Sequence, residues 1–522
     1  MEVLRSPAAQ AEKVLQEGIV RAGRPGKKDL VVGLDCSTTA AKAIAFDREG
    51  NVVARASAPI RLSSPQPGFY EQDPDDWWGS ARMVLRRITG QVDPGRIASL
   101  AISNQRETFV PLGRDERPLR PAIVWLDERC KGEVERFSRR IGKERIHRIT
   151  GKPADYAPVV YRLAWMKRHE PGRFRKIRMV CDVQSFIVRA LTGSWATSWA
   201  SADPLGLFDV ERKRWSPVIL QELGLSAGEL PLVRPPGAVV GGITEASSKA
   251  TGLRGGTPVI AGGGDGQAAG LGSGVLNPER AYLNLGTAVV AGVYGKRYRT
   301  GRAFRTMCAC SDAGYYYECS LRAGTFALDW FIRKILRIDP LRRPGIYRTL
   351  EREARDIPPG SGGVFHLPYL CGVMNPYWDM EARGVFLGLS SSHGRGHLYR
   401  SILEGIAFEQ RGAIDSVERT LGTRVREFAV IGGGARSEFW CRVIADVTGR
   451  RVRIPRVTEA SALGAAVAAA VGAGWFETFQ KAAKQMTGFR GTIRPDPSNR
   501  RTYERLFAVY RTIYPALSSV GS

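Results

Sequence analysis

The chain reads as an α/β protein of two domains, each built on a largely parallel sheet. Three observations predict this. Its 522 residues, 43% hydrophobic and 25% charged, exceed what a single hydrophobic core accommodates. Apolar strand-like runs alternate with segments of helical period, the order that produces parallel sheets. A strand, small-residue turn, strand pattern occurs in both halves, "GLDCST" at 33–38 and "LNLGTA" at 283–288, and points to a distant internal duplication.

Residues 1–28 read as a basic extension, in which Val14, Leu15, Ile19 and Val20 fit a short amphipathic helix and "GRPGKK" is a linker. The fold is expected to start at Asp29. Residues 30–58 predict three strands separated by "CSTTAA" and "REGN". "DPDDWWGSARMVLRRI" (73–88) starts with a capping Asp and carries Trp77, Ala81, Val84 and Ile88 at helical spacing. "IASLAIS" (97–103) is another strand, and 280–295 is a second hairpin. Leu398, Ile402, Ile406, Ala413, Val417 and Leu421 mark a long helix that stops at Gly422. "REFAVIGGGARSEFWCRVIADVTG" reads as strand, glycine turn, helix. The Ala-rich "LGAAVAAAVGAGWF" (463–476) reads as a buried helix, because no apolar run reaches the roughly 18–20 residues of a membrane span.

Composition excludes several classes. The N-terminus lacks the apolar core of a signal peptide, so a cytoplasmic protein is expected. Of eight cysteines, the close pair Cys308 and Cys310 has no second pair to complete a zinc site, so neither a structural metal nor disulfides are expected. The formal charge is +26. The basic residues are dispersed, without one tract interleaved with aromatics, which favours an Arg-rich background or a small polyanionic ligand over nucleic acid.

Three turns of small residues end apolar strands: "DCSTTAAK" (35–42), "LGTA" (285–288) and "GGGARS" (432–437). Such turns expose N–H groups and hydroxyls to phosphate oxygens at the carboxyl ends of strands. None has the terminal Gly-Lys-Ser/Thr of a phosphate loop and none is GxGxxG, which counts against phosphate-loop and dinucleotide folds. Singly each reads as an ordinary αβ connection, but two of them on matching hairpins favour a nucleotide held between two similar domains. "GGGDGQ" (262–267) places Asp265 among glycines at another strand end. It reads either as the cap of a helix starting at Gln267 or as a base that takes a proton from a ligand. Gln105, Arg106 and Glu107 interrupt a strand and are either a solvated strand end or a donor and acceptor set for a polyhydroxyl ligand. Trp125 is either a core residue or a flat face for a sugar.

These segments together resemble the FGGY carbohydrate kinases, which include xylulokinases and glycerol kinases. The resemblance runs from Leu30 into the C-terminal region. It is carried by "GVFLGLSSSHGRGHLYRSILEGIAF" (384–408), "PGFYEQDPDDWW" (67–78), "GGGD", "LGT", "GGGARSEFW" and "EASALGAA" in family order. It implies two RNase H-like domains of the actin/sugar-kinase type with an interdomain active-site cleft. Residues 29–273 would be the N-terminal domain with sugar site and base, and 274–515 the nucleotide-binding C-terminal domain. ATP and Mg²⁺ are implied, with Asp35 organising the metal through water. Ser37, Thr38, Thr39 and Lys42 would meet phosphates, as would Gly286 and Thr287; Gly433, Gly434 and Ala435 would face the nucleoside. Gln105, Arg106, Glu107 and Gln267 would contact substrate with Trp125, and Asp265 would be the catalytic base. The chain departs from the family at "GVMNP" (372–376), Arg442 and Gly266.

The expected activity is phosphorylation of a sugar or polyol by ATP, a ketopentose such as xylulose first. The alternatives are a kinase of glycerol, a tetritol, another ketose or a hydroxy ketone, and a nucleotide-binding regulator with weak or no turnover. The expected partner is the small substrate, with no nucleic acid and no membrane; a homodimer is left open.

Overall fold

The computed structural model describes residues 28–518. All but residue 28 of the predicted N-terminal extension lies outside them. The predicted three strands are present as β1 (Leu30–Cys36), β2 (Ala40–Phe46) and β3 (Val52–Pro59). β1 is buried along its whole length, as its continuous apolar run requires of a central strand. Helix α1 (Pro74–Thr89) follows. Asp73 caps it by accepting from the Asp75 N–H, Pro74 opens it, and Asp75, Asp76, Arg86 and Arg87 oppose its dipole at the two ends.

β4 (Ile97–Asn104), β5 (Val239–Gly242) and β6 (Pro258–Gly264) complete the first sheet, in the order β5-β6-β4-β1-β2-β3. β4 runs parallel to β1 and to β6, while β2 and β3 return antiparallel. Helix α2 (Asp265–Gly272) leaves the end of β6 directly.

The second half repeats the plan. β7 (Arg280–Leu285), β8 (Val289–Gly295), β9 (Arg305–Cys308) and β10 (Tyr315–Leu321) precede the long helix α3 (Arg395–Leu421). α3 ends at Gly422 with φ of 63°, a left-handed position that glycine occupies without a steric cost. β11 (Glu427–Ile431), helix α4 (Glu438–Thr448), β12 (Arg451–Pro455), helix α5 (Ala460–Gly472) and β13 (Phe489–Ile493) follow. The sheet order is β9-β10-β8-β7-β11-β12-β13. β7 has the place of β1: an antiparallel hairpin partner on one side, β8, and a parallel neighbour on the other, β11. The repeat suspected from two short hairpins therefore extends to the strand order of both sheets.

Helices α2 and α5 join the halves. α5 packs on the first sheet, with Ala462 and Ala466 in one cluster with Val31, Ala101 and Ile260. Ser99 on β4 donates to the Ala469 carbonyl at 2.8 Å. The two helices approach backbone to backbone: a Cβ on Gly464 would lie 1.8 Å from the Ala268 carbonyl oxygen, and one on Gly272 would lie 2.0 Å from that of Ala460. This contact explains the small-residue composition of both segments. A larger side chain would have to push one backbone off the other.

Gly464→Ala is therefore expected to cost roughly 1–3 kcal/mol through overpacking. Gly79→Ala, on α1 with nothing within 4 Å of the new methyl, is expected to stabilise by about 0.5–1 kcal/mol. Thermal melts followed by circular dichroism check both; equal midpoints for the two variants would refute the helix-contact account.

Candidate active site

The carboxyl ends of β1, β4 and β6 converge, and each carries a chemically distinctive residue. Asp35 is the penultimate residue of β1; it is 8% exposed and accepts from Ser103 Oγ of β4 at 2.9 Å. β4 ends at Asn104 and leads into Gln105, Arg106 and Glu107. β6 ends at Gly264 and passes into Asp265.

Asp265 is the first helical residue of α2, so the helix begins two residues earlier than Gln267. The cap position falls to Gly264. The Asp265 side chain keeps 41% of its surface accessible. Its Oδ1 accepts from the Gly266 N–H at 2.7 Å and lies 3.2 Å from Arg106 Nε. Among the described residues no donor is placed on Oδ2. Burial raises the Asp265 pKa above the usual carboxylate range; Arg106 opposes this and Glu107 adds to it. A carboxylate with one oxygen held and the other open, and with raised basicity, has the properties of a general base.

Arg106 extends from Asp265 to Glu318 on β10 of the second half, with Nη1 2.8 Å from both Glu318 oxygens. Arg305 on β9 continues the network, donating to Glu107 at 2.9 Å and to Glu318 at 3.1 Å. Glu107 adopts φ of 49°, a conformation uncommon outside glycine. Arg305 holds its carboxylate, and Arg162 Nη1 holds its carbonyl at 2.9 Å. Such strain persists where surroundings over-determine it, commonly at functional sites.

The other predicted residues separate into two groups. Gln105 is 1% exposed and donates to Gln72 Oε1 at 2.8 Å, which turns it into the interior. Gln267 is also buried; it donates to the Ala200 carbonyl at 2.9 Å and faces Arg106 Nη1 at 3.3 Å. These two side chains support the wall of the site. Neither a solvated strand end nor a core tryptophan describes the rest: Arg106 and Glu107 lie in the ion network, and Trp125 is 39% exposed. The Trp125 indole N–H donates to Thr38 Oγ1 at 2.9 Å, which places the ring against the first hairpin turn.

In that turn, the Ser37 N–H and hydroxyl both donate to the Ala40 carbonyl, and Thr39 is exposed. Lys42 lies opposite Asp35 in the β1–β2 register and pairs with Glu459 at 3.0 Å. In the second turn the Gly286 N–H donates to the Ala288 carbonyl, and Thr287 is exposed. The third turn, containing Gly433, Gly434 and Ala435, adjoins the second: a Cβ on Gly434 would meet Leu285 at 2.7 Å, and Gly433 is open.

Asp35 is suited to a divalent cation. Its pKa is raised to about 7, by burial first and by repulsion from Asp265 second, against the pull of Ser103 and Lys42. A nearby divalent charge would relieve that repulsion. The described residues hold no group of three or more His, Cys, Asp or Glu able to cage a metal. One carboxylate, with phosphate and water filling the remaining positions, is the donor set Mg²⁺ commonly takes.

Sequence reasoning passed over Glu318, Arg305, Tyr282 and Glu459. A signal was present for two of them: Glu318 is the single acid in the strand "YYYECSL", and Arg305 the single charge in "RTMC".

The N-terminal domain model of the FGGY family of carbohydrate kinases matches residues 30–272, and its C-terminal domain model matches 281–473. A xylulose kinase from Bacillus subtilis is 30% identical over 93% of this chain and 96% of its own length. A glycerol kinase from Thermococcus gammatolerans is 31% identical over 86% of this chain and 90% of its own. The crystal structure of xylulose kinase from Rhodospirillum rubrum superposes with a TM-score of 0.87 at 30% identity, covering 94% of this chain and 99% of that one.

The Asp35 geometry makes a pH prediction. Its folded pKa, about 7, lies above the unfolded value near 3.8. Between these values the folded state binds the extra proton, so this group's contribution to stability is complete below pH 3.8 and is lost as pH rises through 7. Asp35→Asn is therefore expected to gain stability over wild type at pH 8 and to gain less at pH 5. Melts in buffer free of Mg²⁺ and nucleotide check this; a difference independent of pH would contradict it.

Proposed function

The chain belongs to the FGGY family of carbohydrate kinases and is a sugar kinase, and we propose that it phosphorylates a neutral ketopentose, xylulose first, from ATP and Mg²⁺ with Asp265 as the general base. The observation that carries this reading is the Asp265 carboxylate itself, anchored through Oδ1 and open at Oδ2. A sugar hydroxyl donates to Oδ2 and passes its proton there as its oxygen bonds to the γ-phosphorus and the bond from that phosphorus to the β–γ bridging oxygen breaks, releasing ADP; the general base contributes about 10²–10⁴ in rate.

Residues 29–273 supply the sugar side of the reaction and 274–515 the nucleotide side. The turns carrying Ser37, Thr38 and Thr39 and Gly286 and Thr287 face the phosphates. The exposed Thr39 and Thr287 offer donors, while Ser37 and the Gly286 N–H shape the turns by donating to the Ala40 and Ala288 carbonyls, and Gly433, Gly434 and Ala435 leave room for the nucleoside. Lys42 exchanges Glu459 for a phosphate oxygen. Asp35 would hold Mg²⁺ through water, and the ion when bound would neutralise charge on the transferring phosphoryl group. Closure of the domains excludes the water that would otherwise accept it.

Charge compensation supports a neutral acceptor. Arg106, Arg305 and Arg322 at the domain boundary are matched by Asp265, Glu318, Glu107 and Asp155. No excess positive charge remains among them to select a sugar acid. Full-length similarity to xylulose kinases favours a ketopentose. Glycerol is the second reading, favoured by comparable similarity to a glycerol kinase.

An ADP-release screen over xylulose, other pentuloses, hexuloses, aldoses, erythritol and glycerol tests the proposal. Xylulose is expected to give the highest kcat/KM, and Asp265→Asn to lose at least about 100-fold in kcat. Preferred turnover of glycerol would replace the substrate reading, and an Asp265→Asn variant at wild-type rate would remove the base.

A further inference from the structure

The ion network across the domain boundary does more than neutralise charge. Glu318 is fully buried, and its carboxylate accepts from Arg106 Nη1, Arg305 Nη2 and the Tyr282 hydroxyl. Arg106 and Arg305 hold its pKa below the usual range although burial pushes it up. With Nη1 engaged on Glu318 and near Gln267, Arg106 meets Asp265 through Nε, 3.2 Å from Oδ1, and no hydrogen bond among the described residues reaches Oδ2. An arginine free of Glu318 can form a bidentate pair with a carboxylate, which here would occupy Oδ2 as well.

Gly266 is part of the same device. A Cβ at this position would lie 2.9 Å from Arg106 Cζ and 2.9 Å from Glu318 Oε1. The Arg106–Glu318 contact therefore passes through space that any other residue would fill. The departure from the family at position 266 acquires a physical reason: the absent side chain lets a guanidinium of the first domain reach a carboxylate of the second.

We propose that Glu318 is a positioning residue for phosphoryl transfer, holding Arg106 so that Asp265 keeps Oδ2 open to the acceptor hydroxyl, with Gly266 providing the passage. This rests on Asp265 being the base. Because Glu318 belongs to β10 in the second half, the base is correctly oriented only when the two domains are docked.

Steady-state kinetics on Glu318→Gln, Gly266→Ala and the double variant test this, with Asp265→Asn measured alongside. Each single variant is expected to lose about 10- to 100-fold in kcat, the scale of a displaced catalytic group. The KM for ATP should stay within about twofold, since uniform binding is untouched. The double variant should be no worse than the poorer single one, because both cut the same link. Wild-type kcat in a folded Glu318→Gln protein, or losses that multiply in the double variant, would overturn the proposal. If Glu318→Gln does not fold, Gly266→Ala decides: a fall in kcat supports the proposal. A rise in sugar KM alone means that the methyl merely crowds the sugar, and refutes it. Asp265→Asn separates the two levels. Full activity there removes the base and this inference together; loss there with retention in Glu318→Gln removes only the inference.

Discussion

A carboxylate can accept a proton from an alcohol only if one oxygen is free and the group is held still. Asp265 meets both conditions through its location. The end of β6 and the start of α2 fix its backbone, the Gly266 N–H and Arg106 hold Oδ1, and Oδ2 is left open. The surrounding chain maintains this asymmetry. Glycines at 262–264 allow the strand to pass close to its neighbours, and Gln267 and Glu318 keep the arginine from turning fully onto the acid.

The two halves contribute differently to that arrangement. The first sheet places Asp35, Arg106 and Asp265 at the ends of three adjacent strands, a consequence of parallel topology in which carboxyl ends gather on one side. The second sheet contributes the counter-charges, Glu318 and Arg305, from its β9–β10 edge. Helices α2 and α5 set how the sheets meet, through a backbone contact that only small residues permit. Compensation within this network lets buried charges persist where unpaired ones would be strongly destabilising.

Much of the site was legible as local pattern. Asp265 stands out because an acid among glycines at the end of an apolar run is anomalous, and the hydroxyl-rich turns because their composition suits phosphate; Asp35 was marked only by the family resemblance. The orientation of polar side chains was not legible. Gln105 and Gln267 have the same donors and acceptors whether they face a ligand or the interior; here both face inward. Trp125 has the composition of a core residue, yet its ring stays exposed beside Thr38.

The sequence by itself determined the fold class, the paired hairpins and the identity of the acid at the strand end, because strand periodicity, turn chemistry and capping are set by neighbours a few residues apart. Only the tertiary structure decided which charges meet. Arg106 and Glu318 are separated by 212 positions, and nothing in either segment names its partner. Their contact depends on how two sheets dock and on a missing Cβ at Gly266. These are properties of close packing in three dimensions, and they arise only once the whole chain has folded.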